Sequence, residues 1–272
     1  MKKFLFISLI FLSYLTGCCN GSFLLSPEEE NGKKQEIQHL MESTSALLLP
    51  DSKNEKYRIF CSAVWISPTK LISARHCGTA VFENDLNEIF GIEPELEKLP
   101  GTVIAYSNYM EQDYLVGVGE KPHFAVVVGF SRDADLVLLE SVDEENHQFA
   151  QLTQEDTWTG QTVQIVGHTR RLSWNYMDGI VSAPHRDIAA FFSLKPEEEE
   201  KEVPMRDVLH LTAMIAGGNS GGGAFNDRGE LVGICSFMIP SAPGASFFVP
   251  ENLIKEFLQE EFVIPNEHLE IQ

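Results

Sequence analysis

A histidine, an aspartate and a serine stand in three short segments that dominate this 272-residue chain. They are Ser-Ala-Arg-His-Cys ending at Cys77, Asp-Ala-Asp-Leu-Val-Leu-Leu from Asp133, and Gly-Gly-Asn-Ser-Gly-Gly-Gly from Gly217. A serine hydroxyl is a poor nucleophile at neutral pH. It needs an imidazole to take its proton and a buried carboxylate to hold that imidazole in the useful tautomer. His76, Asp135 and Ser220 fit those three jobs. Asp133 is the rival for the carboxylate; Asp135 is preferred because an apolar strand follows it directly, so that its side chain can be buried beside the imidazole. A glycine-rich turn bearing a serine is also an ordinary hairpin. The joint occurrence of all three segments, in the order His, Asp, Ser, carries the reading.

Groups that must meet from positions so far apart need a rigid scaffold, and the flanks read as β-structure. Phe60, Ser62, Val64 and Ile66 alternate with Cys61, Ala63 and Trp65, as in a strand. Lys70 to Ala74 reads as the return strand that delivers His76; Thr102 to Tyr106, His123 to Phe130 and Leu136 to Glu140 read as further strands. Thr162 to Val166, Gly179 to Ala183 and Val208 to Met214 continue the pattern up to the serine turn. Phe82 to Leu99 reads as an acidic insertion with a helical turn, and Lys195 to Pro204 as an exposed charged hairpin. After Pro250, Leu253, Ile254, Phe257, Leu258 and Phe262 recur at helical spacing, with Glu251 placed to suit the helix dipole.

With these segments the chain resembles the chymotrypsin-like (trypsin-fold) serine proteases, in the bacterial branch of Deg-type proteases and glutamyl endopeptidases. The likeness extends from about Phe60 to about Phe262, and Gly179 to Ser182, Leu231 to Ile234 and the Ser-Phe-Phe-Val-Pro ending at Pro250 look like strands of the second barrel. It implies an all-β fold of two six-stranded antiparallel barrels with a short C-terminal helix, catalysis by His76, Asp135 and Ser220, and an oxyanion hole from the amides of Gly218 and Ser220. No cofactor and no metal are implied. Cys61 and Cys77 match the disulfide that closes the histidine loop, whereas Cys235, in an apolar strand, reads as an inert buried thiol. Asn219 stands where digestive members carry an acid that pairs with a freshly cleaved N-terminus, so that mode of activation is not implied.

Pocket residues follow only by position relative to the serine. Met214 falls where trypsin-like enzymes place an acid, and Ser236, Phe237 and Met238 fall on the usual pocket wall. An apolar floor and a bulky wall favour small or medium apolar side chains before the scissile bond. Two alternatives stay open: Met214 and Met238 simply fill core, or His210 reads a glutamate, as a histidine does in glutamyl endopeptidases.

The first seventeen residues combine Lys2 and Lys3 with the apolar run Phe4 to Leu15, too short for a comfortable membrane span and typical of a secretory signal. Leu15-Thr16-Gly17-Cys18 looks like a bacterial lipobox, which implies acylation of Cys18 and a membrane anchor on the periplasmic or extracellular side. Ordinary signal cleavage and an uncleaved anchor are the rivals; each still exports the chain to where a disulfide persists. Residues 18–45 read as an acidic polar tether with some helical tendency near Gln35 to Ser43. Residues 46–265 read as one protease domain whose barrels meet near 143–158, and 266–272 as a tail with no further peptide-binding module. Loss of Lys2 and Lys3 with the signal takes the formal charge from −20 to −22, which argues against nucleic acid and against anionic protein substrates as partners. The sequence leaves two functions standing: a serine endopeptidase acting on protein or peptide substrates, and a catalytically silent trypsin-fold binder of peptides or a partner. It leaves the oligomeric state open.

Overall fold

The computed structural model describes residues 26–51, 56–78, 103–107, 123–131, 133–142, 146–169, 174–188 and 207–260. The expected signal with Cys18, the acidic insertion, the hairpin at 195–204, Phe262 and the tail lie outside the described residues. The chain divides into two compact units, residues 1–38 and 39–272. In the first, α1 (Pro27–Glu42) opens on a reciprocal cap. The Glu29 amide donates to Ser26 Oγ at 3.3 Å, and the Ser26 amide donates to Glu29 Oε2 at 2.8 Å. This is the Ser-x-x-Glu capping box, with proline at the first helical position where its missing N–H costs nothing.

The second unit holds the end of α1 and twelve strands. The first six are β1 (Thr44–Asp51), β2 (Lys56–Trp65), β3 (Lys70–Ser73), β4 (Val103–Ser107), β5 (His123–Phe130) and β6 (Val137–Ser141). They pair in the ring β1-β2-β3-β6-β5-β4, and β4 returns to β1. The next six are β7 (Thr162–Gly167), β8 (Asn175–Asp187), β9 (Asp207–Leu211), β10 (Gly223–Phe225), β11 (Leu231–Met238) and β12 (Ser246–Pro250). Their ring is β10-β11-β12-β9-β8-β7, with β7 paired back to β10. A helix, α2 (Glu251–Gln259), follows β12 directly. Strand β8 is longer than the expected Gly179–Ala183, because its N-terminal half pairs with β7 and the rest with β9.

Alternation along the strands divides each barrel's residues between two cores. Ala63, Trp65, Leu71, Val137 and Leu139 fill the first barrel, and Ile165, Val181, Leu209, Ala224 and Val232 fill the second. Their neighbours Val64, Ile72, Leu138, Val166, Phe225, Leu231 and Ile234 point the other way, into a third core between the barrels. Leu40, at the end of α1, and Ile254 and Phe257 of α2 complete that third core, each at most 1% exposed. The segment between β6 and β7 bridges to β11 at Leu152 and Leu231, and the Thr157 amide donates to the Glu251 carboxylate at 2.9 Å.

Candidate active site

The histidine arrives at the end of β3, where the Cys77 amide donates to the Ala74 carbonyl at 3.0 Å and the Cys61–Cys77 disulfide ties the turn to β2. The aspartate arrives on a loop that closes on itself between β5 and β6. The Ser131 hydroxyl accepts from the amides of Asp133 and Ala134, and the Ser131 amide donates to Leu136 O. Arg75, beside the histidine, donates to the Ser131 carbonyl at 3.0 Å and joins the two segments.

Between them, His76 Nδ1–H donates to Asp135 Oδ2 at 2.8 Å, and the His76 backbone amide donates to Oδ1 at 3.0 Å. A third donor, the Ser236 hydroxyl, reaches Oδ2 at 2.5 Å. Burial by itself would raise the Asp135 pKa. The hydrogen bond and charge of His76, with the Ser236 bond, outweigh it and hold the carboxyl below its ordinary value. Asp133 is exposed on the same loop and its amide is tied to Ser131, so the geometry puts Asp135, not its rival, on the imidazole. Ser220 is half-buried and its hydroxyl donates to the Ser236 carbonyl at 3.4 Å. Its own carbonyl accepts the Ser62 amide at 2.7 Å and lies 3.7 Å from Cys77 Sγ, the residue after His76. Ser236 thus links the serine turn to the His76–Asp135 pair, its carbonyl accepting from Ser220 and its hydroxyl donating to Asp135.

Two glycines at the serine are required by conformation and space. Gly218 occupies the third position of a turn closed by the Asn219 amide on Ala216 O at 3.1 Å, with φ 101°. A type II turn demands that positive φ there, and it turns the Gly217–Gly218 peptide over relative to a type I turn. Gly221, at φ 83°, has no space for a side chain: a Cβ would come 2.0 Å from Ser62 O and 2.1 Å from Ser73 Oγ. The turn is pressed against the first barrel at that point.

Of the expected pocket residues, Ser236 is buried and its hydroxyl is bonded to Asp135, a contact that its position relative to the serine could not reveal because strand register decides it. Met214 is 76% exposed, so it neither floors an enclosed pocket nor fills core; its loop leaves the barrel after β9. Met238 is 37% exposed at the end of β11, and Phe237 stacks on Phe247 at 4.8 Å. His210 stacks on the other face of that ladder, 5.0 Å from Phe247, and burial, then the nearby Arg186 charge, lowers its pKa. Cys235 is buried and unbridged, and burial together with the Asp135 charge pushes its thiol pKa far up, as fits an inert group. Sequence reasoning missed Ser62 and His168 altogether. The Ser62 hydroxyl lies 2.9 Å from Nδ1 of a fully buried His168, and burial drives that imidazole's pKa down to about 3. Cys61, Cys77 and His76 sit close enough to hold a cation, but the two sulfurs are spent on each other.

Over residues 61–234 the chain matches the trypsin-like peptidase domain. It is similar to the serine protease Do-like HtrA of Bacillus subtilis, 31% identical over 141 residues that make up 50% of this chain and 30% of that protein. A probable periplasmic serine endoprotease DegP-like of Rhizobium meliloti is 30% identical over 136 residues, 48% of this chain and 25% of the relative. The match thus spans under a third of the length of these curated relatives. Among solved structures, an HtrA-type protease, AlgW, with a tripeptide superposes at a TM-score of 0.57 and 18% identity, covering 83% of this chain and 62% of the other. At that identity the likeness concerns the fold.

Proposed function

The chain belongs to the trypsin-like peptidases, and from that premise we propose that it is a serine endopeptidase working through an acyl-enzyme. The observation that carries this reading is the His76–Asp135 pair, bonded at 2.8 Å and linked through Ser236 to Ser220, which follows a type II glycine turn. In the proposed reaction Ser220 Oγ attacks the peptide carbonyl carbon while His76 Nε2 takes the hydroxyl proton. Asp135 holds the proton on Nδ1 and stabilises the imidazolium. Negative charge gathers on the carbonyl oxygen, where the amides of Gly218 and Ser220 receive it; one such donor is worth about a hundredfold to a thousandfold in rate. Collapse expels the amine, which takes the proton from His76, and water then repeats the sequence to release the acid and restore Ser220.

None of the residues expected around the side chain before the scissile bond, Met214, Ser236, Phe237 and Met238, is an acid that could partner lysine or arginine, which supports cleavage after Val, Ala, Leu or similar residues. A fluorophosphonate probe tests the activity: labelling at Ser220 that disappears in Ser220→Ala and His76→Ala is expected. A folded wild-type chain that does not label above the Ser220→Ala control would instead be the silent binding protein. Peptide-library profiling tests specificity; dominant cleavage after Lys or Arg would refute the apolar preference, and after Glu would bring in His210.

The same proposal places the enzyme outside the cytoplasm, anchored by acyl chains on Cys18. The apolar leader ending at Leu-Thr-Gly-Cys supports it, as does a disulfide between Cys61 and Cys77. Among the described residues no helix is long and apolar enough to cross a membrane. Cys18→Ser is expected to abolish acylation and detergent partitioning while Cys19→Ser leaves both intact; an unmodified mature N-terminus other than Cys18 by mass spectrometry would remove the anchor.

A further inference from the structure

One residue of the first barrel grips the serine turn at two points. Ser62, next to Cys61 on β2, donates its backbone N–H to Ser220 O at 2.7 Å and its hydroxyl to Gly218 O at 2.8 Å. A hydroxyl has one proton and two lone pairs. The proton goes to Gly218, because a carbonyl can only accept. One lone pair receives the backbone N–H of His168 at 3.1 Å, and the other faces His168 Nδ1 at 2.9 Å. With the Ser62 proton committed, Nδ1 must carry its own and donate. His168 therefore sets the direction of the Ser62 hydroxyl: as the Nδ1–H tautomer it fills the last lone pair and leaves Gly218 O as the one acceptor for the proton. The buried Nε2 of His168 has no hydrogen-bond partner, so a second ring proton would be stranded there.

The turn needs such a hold. Gly217 faces open space where a Cβ would stand, so no neighbour supports the turn from that side. Asn219 is uncharged; its side-chain oxygen accepts the Thr169 hydroxyl at 3.0 Å, one residue after His168. We infer that Ser62 and His168 are positioning residues: by holding the Gly218 carbonyl they fix the Gly218–Asn219 peptide and with it the type II turn that aims the N–H of the preceding Gly217–Gly218 peptide at the developing oxyanion, doing with a neutral relay between the barrels what a charge pair at the residue before the serine does in digestive enzymes. The inference rests on the serine-peptidase reading. It follows that the site is assembled without a free N-terminus, and that both barrels must be docked before the donor is in place.

The test compares Ser62→Ala, Ser62→Thr and His168→Asn with the wild type. Active-site-titrated kcat and KM, fluorophosphonate labelling rate, and affinity for a peptide aldehyde, whose adduct carries the oxyanion, are the readouts. Ser62→Ala is expected to lower kcat, labelling rate and aldehyde affinity together, by about tenfold to a hundredfold and less than loss of a donor itself, with KM essentially unchanged. Ser62→Thr, which keeps the hydroxyl, restores most of it, and His168→Asn falls between. Equal kcat and labelling per titrated site in wild type and Ser62→Ala overturns the clamp, as does a loss that appears only in melting temperature. Should Ser62→Ala not fold, His168→Asn carries the same comparison. A folded wild type that does not label at all overturns the peptidase reading and this one with it.

Discussion

At the scale of single residues, two carboxylates two positions apart have opposite fates. Asp135 receives two bonds from His76 and one from Ser236, whereas Asp133 faces solvent. Asp135→Asn is expected to keep the fold and cost about 10⁴-fold in kcat, the size of that effect in the family's best-known triad, while Asp133→Asn leaves turnover near wild type. A larger loss in Asp133→Asn by steady-state kinetics would transfer the assignment. His168 makes a second prediction, on stability. Its imidazole has a pKa of about 3 in the fold against an ordinary 6.5. Between those values the unfolded chain binds the extra proton, so stability is full above about pH 6.5 and falls as pH drops toward 3, by up to about 5 kcal/mol. Asp135, whose carboxyl is held below its ordinary 3.8, adds its loss only at lower pH. Urea melts from pH 7 to 4 are expected to show the slope in wild type and a flatter one in His168→Asn; equal slopes would mean that the ring does not stay neutral. His76, Asp135 and Ser220 were legible as candidates because each sits in a contiguous segment that carries its own chemistry. Ser236 and Ser62 were not, since a serine inside an apolar strand announces nothing until register places it against a carboxylate or a carbonyl.

Strands were read well where a valine-rich apolar run marks them, as in His123–Phe130, and short where one strand serves two partners, as in β8. The helix α1 was foreseen only as a tendency in a tether, although Ser26-Pro27-Glu28-Glu29 spells a capping box with proline at the first position. Its polar composition hid the one residue that matters at its end. Leu40 is fully buried in the core between the barrels, and its carbonyl accepts the hydroxyls of Ser43 and Thr44 at 3.0 and 2.9 Å. Leu40→Ala is expected to destabilise by about 2–5 kcal/mol, as deletion of a well-enclosed leucine does, while Lys34→Ala, in an exposed pair with Glu30, changes little. Chemical denaturation of both variants checks this; a Leu40→Ala chain as stable as wild type would make the helix end a passive lead-in. The disulfide acts on the same scale. Closing the loop from Cys61 to Cys77 stabilises by about 3 kcal/mol in the chain-entropy account, so the Cys61→Ala/Cys77→Ala double variant is expected to melt earlier yet retain turnover while folded, since β2 and β3 stay paired.

Over the whole molecule the dominant property is charge. A formal −20 and a pI near 4.7 arise from acid clusters at Glu28 to Glu30, between Glu83 and Glu97, at Asp143 to Glu145 and at Glu197 to Glu200. Asp135 adds one carboxylate beside His76, and the aromatic and methionine side chains near β11 add no cation. Such a field acts on encounter before any pocket is reached, drawing cationic substrates in and slowing anionic ones. Two peptides with the same apolar residue at the cleaved bond, one flanked by lysines several residues away and the other by glutamates, separate this effect from local recognition. At low salt the lysine-flanked peptide is expected to have the higher kcat/KM, with the difference in association and not in kcat. Screening shortens the reach of the field from roughly 30 Å at 0.01 M salt to about 3 Å at 1 M, so the two values should converge as salt is raised. A gap that persists at high salt would place the discrimination in direct contacts within the cleft, and no gap at low salt would mean that the acid clusters lie too far from the entrance to steer anything into it.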